Sequence, residues 1–409
     1  MPGFVIIGAG QAGVHLSESL RAGGYDGAIT LLGDEAHTPY HRPPLSKAWL
    51  AGELDEAQLT MRTPTALERK NITLRTGVKA SAIDTVSCTV TMSDGSKLAY
   101  DGLALATGAT PRALAVPGAD ADGVLALRTL DDAAAIVRHL DNCADRDLPV
   151  VVIGGGFIGL EVAATARKLG LAVTVLEAAP RLLGRVLVPL LSDWYAKLHA
   201  DHGVEFVFNA QVSSIVSTQG QVAAVLAADG RRFPAGLVIV GIGVTANDSL
   251  ARAAGIDCDR GIIVDACART SVPGVVAAGD CTARRLSDGS LLRLESVQNA
   301  TEQGRSAAAA LLNQERPFVA APWFWSDQYD KKLQMAGLSA GAEHWVVRGA
   351  MASGSFSVFH FHAGRLIAVD SVNAGKDHLL ARKLLDASVS PTPAQAEDST
   401  FDLAGLLAN

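Results

Sequence analysis

The sequence predicts an α/β protein made of two Rossmann-like, doubly wound dinucleotide-binding domains followed by a C-terminal α+β domain. Three observations carry this prediction. A glycine fingerprint occurs twice, as Gly8-Ala-Gly10-Gln-Ala-Gly13 and as Gly154-Gly-Gly156-Phe157-Ile158-Gly159. Each copy follows a short β-branched run, opens an alanine-rich segment with helical spacing, and leads to a second strand closed by an acid. From about Ala320 the composition shifts to clustered aromatics and alternating strand patterns.

In chain order, Val5-Ile-Ile is the first strand and Gly8 its tight turn. Gly10 lets backbone amides approach a pyrophosphate, and Gly13 lets helix and strand pack closely. The second strand, Ile29-Thr-Leu-Leu32, closes on Asp34 and Glu35. Residues 89–98 read as a hairpin around Ser93-Asp-Gly-Ser96, and Leu103-Ala-Leu-Ala106 returns to a buried strand ending in Thr107-Gly108. The second unit repeats the plan. Val151-Val-Ile precedes the second fingerprint, Val173-Thr-Val-Leu176 ends on Glu177, a hairpin falls near Asp229-Gly230, and Leu237-Val-Ile-Val240 ends in Gly241-Ile-Gly243. The apolar strand running into Gly279-Asp280 suits an acid that binds a polyol chain. The expected domain limits are 1–112 with 242–319, 113–241 and 320–409. The tail from Ser388 reads as a loosely ordered lid or strap.

A chain of 409 residues accommodates two or three domains. Its 49 % hydrophobic and 19 % charged residues mark it as globular. Net charge is −7, without a basic stripe, which argues against nucleic acid as a partner. The longest apolar stretch, 148–160, is too short and glycine-broken to span a bilayer, and no signal peptide is visible. Five scattered cysteines without a C-x-x-C disfavour a disulfide framework, a zinc site and a dithiol redox centre, so the cytoplasm is the expected location. A monomer is expected.

Two fingerprints imply two dinucleotides, and a nicotinamide cofactor with a flavin is the natural pair for hydride transfer. Glu177 stands where a carboxylate binds the adenosine ribose 2′-hydroxyl. A 2′-phosphate there would meet like charge, costing about 4 kcal/mol at ~4 Å and an effective dielectric of ~20. The Ala-Ala-Pro that follows offers no clamp, although Arg181 is close. NADH is therefore expected over NADPH.

Longer motifs accompany the glycines. They are Pro39-Tyr-His-Arg42-Pro-Pro-Leu-Ser-Lys47, Ala106-Thr107-Gly108, Gly241-Ile-Gly243, Gly279-Asp280, Leu294-Glu-Ser-Val297-Gln-Asn-Ala300 and Pro322-Trp-Phe-Trp325-Ser-Asp-Gln-Tyr329. On these the chain resembles, over essentially its whole length, the FAD-dependent ferredoxin reductases of bacterial cytochrome P450 and ring-hydroxylating oxygenase systems. These share a glutathione-reductase-like arrangement of two Rossmann-like domains, which implies that 1–112 with 242–319 form an FAD-binding domain, 113–241 an NAD-binding domain and 320–409 a C-terminal domain. The resemblance implies that Arg42 contacts the adenosine side of FAD and that Lys47 lies near the flavin N5. It implies that Glu161 pairs with Lys47 across the nicotinamide site, that Val297 offers its backbone N–H to the flavin pyrimidine, and that Trp325 sits beside the ring. Lys47, Glu161 and Trp325 are the catalytic candidates. A cation near N1 or N5 stabilises the anionic reduced ring. One departure is Ala246 in Gly243-Val-Thr-Ala246-Asn247, where the family pattern has proline; its loss should loosen that turn slightly.

The implied partner is a [2Fe-2S] ferredoxin serving a cytochrome P450 or another oxygenase. Such partners are usually acidic, so Arg305, Lys331 and Lys332 are docking candidates. Two alternatives stay open: an NADH oxidase or diaphorase using O₂ or a quinone, and a redox-sensing flavoprotein resembling apoptosis-inducing factor. Other signals fail. Gly337-Leu-Ser339-Ala-Gly341 lacks the strand–helix context of a nucleophile elbow. His360 and His362 are expected to face solvent, with no third metal ligand. No cysteine lies in 39–47, where disulfide reductases and NADH peroxidases of this wider fold place their redox thiol.

Overall fold

The structure is a computed structural model that describes residues 2–408. It resolves into two compact units. One contains residues up to 41, 56–110 and 244–320, and the other 42–55, 111–243 and the chain from 321 onward.

In the first unit the buried strand Gly3–Ile7 lies parallel between Ile29–Leu32 and Lys97–Leu105. Ile72–Arg75 extends one side and Val275–Ala277 the other, both parallel. Such a sheet is covered on both faces, which is why its strands read as continuous apolar runs. Alternation sends Phe4 and Ile6 to one core, with Val14, Leu16 and Leu20 of the helix Gln11–Ala22 and Ala300 and Ala307 of the helix Val297–Leu311. Val5 and Ile7 enter the opposite core with Leu103, Leu105, Val90 and Met92. Burying a leucine such as Leu16 contributes about 1.5–3 kcal/mol. Strands Thr89–Met92 and Lys97–Leu105 form the antiparallel hairpin that the Asp94-Gly95 turn predicts.

The second unit repeats this plan. Its five-stranded parallel sheet runs Val204–Phe208, Val173–Glu177, Val150–Ile153, Leu237–Val240, Val124–Leu125. The same unit holds a second sheet, antiparallel, in the order Trp323–Gln328, Lys331–Gly337, Arg365–Val372, Ser355–His362, His344–Ala350. The helix Gly375–Asp386 packs on that sheet.

Three points differ from the sequence reading. Residues 42–55, expected in the first domain, group with the second unit. Ser46 and Thr165 bond there at 3.0 Å, Arg42 Nη1 donates to the Arg128 carbonyl at 2.7 Å, and Glu53 pairs with Lys168. The tail is docked rather than loose. It forms the capped helix Pro393–Glu397 and the turn Leu403–Leu407, with Ala396 and Leu403 buried, and Arg348 donates to the carbonyls of Ala396, Asp398, Ser399 and Phe401. His360 is fully buried with its Nε2 2.8 Å from Asp370, whereas His362 is exposed. His360 lies in the stretch 356–361 of its strand, where both faces are covered, whereas His362 is the exposed last residue of that strand.

Candidate active site and nucleotide cradles

Some helices begin with a side chain that caps the orphan amides, as Thr63, Thr129, Ser296 and Thr392 do. The helix Leu130–Asp145 has a Thr129/Asp132 capping box and two acids in its first turn. The two fingerprint helices have neither. Gly10 and Gly156 are their N-caps, with no side-chain cap and no acid in the first turn. A Cβ on Gly10 would meet nothing within 4 Å, and one on Gly156 only the Gly241 carbonyl at 3.8 Å. Both helix ends therefore present uncapped amides to open space, which fits the pyrophosphate of a dinucleotide. The flanking glycines are enforced by contact. Gly8 has φ +114°, and a Cβ on Gly13 would stand 1.9 Å from the Gly8 carbonyl oxygen. Gly154 and Gly159 repeat this, with φ +104° and a clash at 2.4 Å.

In the first unit, Glu35 at the strand end accepts the Tyr40 hydroxyl at 2.5 Å, while Asp34 is exposed. Thr107 is locked by Asn247. Thr107 Oγ1 donates to the Asn247 carbonyl at 2.6 Å, and Asn247 Nδ2 returns a bond to the Thr107 carbonyl at 2.9 Å. The Asn247 amide also donates to the Gly108 carbonyl at 3.0 Å. Those bonds hold the turn that lacks proline at Ala246, and they bring Ala106, Thr107 and Gly108 to one strand end. Gly279, at φ +87°, donates its amide to Gln303 Oε1, as do Thr282 Oγ1 and Asn299 Nδ2, which fixes the backbone entering Asp280. Val297 is the first residue of a helix whose N-cap, Ser296, accepts from the Asn299 amide. Beside Asp280, burial pushes the Cys281 thiol up.

In the second unit, Glu177 Oε2 accepts the Gly155 amide at 2.6 Å and Oε1 the Ala179 amide at 2.7 Å, so the acid is bound to the glycine turn itself. Arg181 is engaged elsewhere, donating to the carbonyls of Leu187 and Gly184 and to Ser192 Oγ. Gly243, with φ +102°, faces Arg112 and Arg185. Phe157 packs on Phe324 at 4.9 Å between ring centres, and Ile158 is exposed at the helix start.

One turn further along the same helix stands Glu161, 5 % exposed. A buried carboxylate needs partners, and this one has three. Lys47 Nζ is 2.7 Å and Ser46 Oγ 2.5 Å from Oε2, and Ser326 Oγ is 2.6 Å from Oε1. Lys47 also donates to the Pro43 carbonyl at 3.0 Å, so the turn Pro43–Ser46 aims it. The pair borders a groove of about 470 Å³ whose lining includes Arg167, Lys168, His202, Asp327 and Tyr329. Trp325 is half-buried on the strand Trp323–Gln328, its ring 5.7 Å from Trp323.

Sequence reasoning did not read Ser46, Ser326, Gln328, Asn247 or Gln303 as site residues. A signal existed for two of them: Ser326 and Gln328 are polar residues two apart on a strand, which places both on one face, and that face is buried. The docking candidates are each near acid. Arg305 shares Glu302 with Arg316, Lys331 pairs with Asp330, and Lys332 lies 3.9 Å from Asp327. Among the described residues no helix is long and apolar enough to cross a membrane and no cluster of potential metal ligands occurs.

The chain matches the family model of pyridine nucleotide-disulphide oxidoreductases over residues 3–304 and a reductase C-terminal model over 323–407. It is 46 % identical to rhodocoxin reductase of Rhodococcus erythropolis, over 98 % of this chain and 93 % of that protein. It is 44 % identical to putidaredoxin reductase of Pseudomonas putida, over 99 % and 96 %. Among solved structures, the covalent putidaredoxin reductase–putidaredoxin complex aligns with a TM-score of 0.95 at 43 % identity, covering 100 % of this chain and 98 % of that one. The chain belongs to the pyridine nucleotide-disulphide oxidoreductase family and, within it, to the ferredoxin reductases of cytochrome P450 and oxygenase systems.

Proposed function

We propose that this protein oxidises NADH and delivers the electrons, by way of FAD, to a [2Fe-2S] ferredoxin that supplies a cytochrome P450 or another oxygenase. The observation that carries the reading is the Lys47–Glu161 pair at 2.7 Å, on the helix whose N-terminus forms the second cradle. FAD, when bound, would supply the conversion of a hydride into two electrons released one at a time, with the accompanying proton lost to solvent. The protein binds and orients. Gly8, Gly10 and Gly13 with Glu35, Thr107, Asp280 and Val297 are the residues that would hold FAD, and Arg42 is proposed to reach its adenosine side. Gly154, Gly156, Gly159, Phe157, Ile158, Glu177 and Gly243 would hold NADH. Lys47 supplies the cation that favours a reduced, anionic flavin, and Trp325 flanks the ring.

Glu177 supports NADH over NADPH, because both its oxygens are fixed by backbone amides and Arg181 is committed elsewhere. Five free cysteines, with Cys143 and Cys258 pushed up to about 11 by burial, support a reducing compartment, the cytoplasm, and argue against dithiol chemistry. Arg305, Lys331 and Lys332 are proposed to meet an acidic ferredoxin, and the protein is proposed to act as a monomer. The test is anaerobic stopped-flow with NADH or NADPH, then with a [2Fe-2S] ferredoxin. Fast bleaching by NADH followed by salt-sensitive cluster reduction is expected. A reduced flavin that ignores ferredoxins and discharges to O₂ or a quinone would establish the oxidase instead, and one that discharges to nothing quickly would establish a redox sensor.

A further inference from the structure

The Glu161 carboxylate is the end of a line of hydrogen bonds reaching well back from Lys47. The Tyr329 hydroxyl is 3.2 Å from His199 Nδ1, and His199 Nε2 is 2.8 Å from Gln328 Oε1. Gln328 Nε2 is 3.1 Å from Ser326 Oγ, which is 2.6 Å from Glu161 Oε1. His199, Gln328 and Ser326 are all buried.

Donor chemistry gives this line one direction. The Gln328 amide oxygen only accepts, so His199 carries its hydrogen on Nε2. Its Nδ1 is then an acceptor, and Tyr329 donates to it. The Gln328 amino group only donates, so the single Ser326 hydrogen goes to the carboxylate. The opposite amide orientation would leave Ser326 Oγ facing the carboxylate with no hydrogen between them. Burial lowers His199 to about 4 and pushes the Tyr329 phenol up, so the ring stays neutral and the phenol stays a donor. Tyr329 also holds φ +57° in the turn between two strands, a conformation that glycine or asparagine adopts at less cost, and its ring stacks on His202 at 3.7 Å.

We propose that Ser326, Gln328, His199 and Tyr329 are positioning residues that act as one oriented relay. Each bond directs a donor toward Glu161 Oε1 and polarises the next. The carboxylate is thereby pinned, with Oε1 occupied and Oε2 left for Ser46 and Lys47. The C-terminal sheet and the helix Pro189–Asp201 so determine where the Lys47 cation stands. This inference rests on the reading that Lys47 meets the flavin.

The experiment uses the FAD-loaded protein and its Ser326→Ala and Gln328→Leu variants, with ¹⁵N-histidine NMR for the His199 tautomer, assigned through His199→Gln. The Nε2–H tautomer is expected. Both variants are expected to lower the bound-flavin midpoint potential and to slow flavin reduction at saturating NADH about tenfold, with the NADH KM within about twofold. A simple loss of packing would lower thermal stability without moving the potential. An Nδ1–H tautomer, or folded variants with the unaltered potential, would overturn the relay. If one variant fails to fold, the other and the tautomer decide. If unaltered protein is not reduced by NADH, the reading of Lys47 falls and the relay role falls with it; normal reduction with unmoved variants refutes the relay alone.

Discussion

Glu177 and Gly155 are tied together: the Gly155 amide donates to Glu177 Oε2 at 2.6 Å, so the acid that would read the cofactor ribose is anchored to the turn that would hold its phosphates. Glu177→Ala removes that anchor and the ribose acceptor together. NADH kcat/KM is expected to fall about 10–100-fold, the worth of one or two bonds to a charged group. NADPH should remain the poorer cofactor, because Arg181 stays bound to Leu187, Gly184 and Ser192. Steady-state kinetics with both cofactors checks this, and a variant preferring NADPH would contradict it.

Glu161→Gln keeps shape but removes the charge opposite Lys47. Flavin reduction at saturating NADH is expected to slow by about tenfold or more, with a smaller change in KM, since the pair is proposed to act on the bound ring rather than on NADH binding. Stopped-flow absorbance at several NADH concentrations separates the two parameters.

Gly10→Ala and Gly13→Ala should part company. A Cβ at Gly10 meets nothing, so that variant should lose flavin while its flavin-free form melts at the temperature of the unaltered flavin-free protein. A Cβ at Gly13 stands 1.9 Å from the Gly8 carbonyl oxygen, so that variant should lose stability by about 2 kcal/mol or more. Melting curves and flavin content read both.

Stability should fall on acidification below about pH 6.5. His199 and His378 are both lowered to about 4 by burial. Their unfolded pKa is higher, so the unfolded chain binds the extra protons between about pH 4 and 6.5, and stability decreases across that window as pH falls. Each contributes on the order of 3 kcal/mol at its limit. In urea titrations from pH 4 to 7, His199→Gln should flatten the slope; an unchanged slope would remove His199 from this account.

The repeated fingerprints, both parallel sheets and the aromatic third region were legible because periodicity and glycine spacing are local properties. Lys47 and Glu161 were legible only through longer motifs, since nothing local brings residues so far apart in sequence to 2.7 Å. The Asn247 lock on Thr107 was not legible, because it depends on where a loop returns to a strand. The His360 environment was not legible for a narrower reason: its strand is covered on both faces up to Phe361, so sharing a face with the exposed end residue His362 did not give it the same environment. The docked tail failed because a polar, proline-bearing segment can still be captured, here by the Arg348 guanidinium on four carbonyls.

On the strand Trp323–Gln328, the half-buried Trp325 and Asp327 alternate with the buried Ser326 and Gln328. That has a consequence for protein engineering. A chimera that borrows a relative's last ninety or so residues also imports that relative's counterparts of Ser326 and Gln328, and with them its support for Glu161. Recombination breakpoints should therefore keep Ser326, Gln328 and His199 from a single parent, and libraries that randomise Trp325 should leave its two inward neighbours untouched.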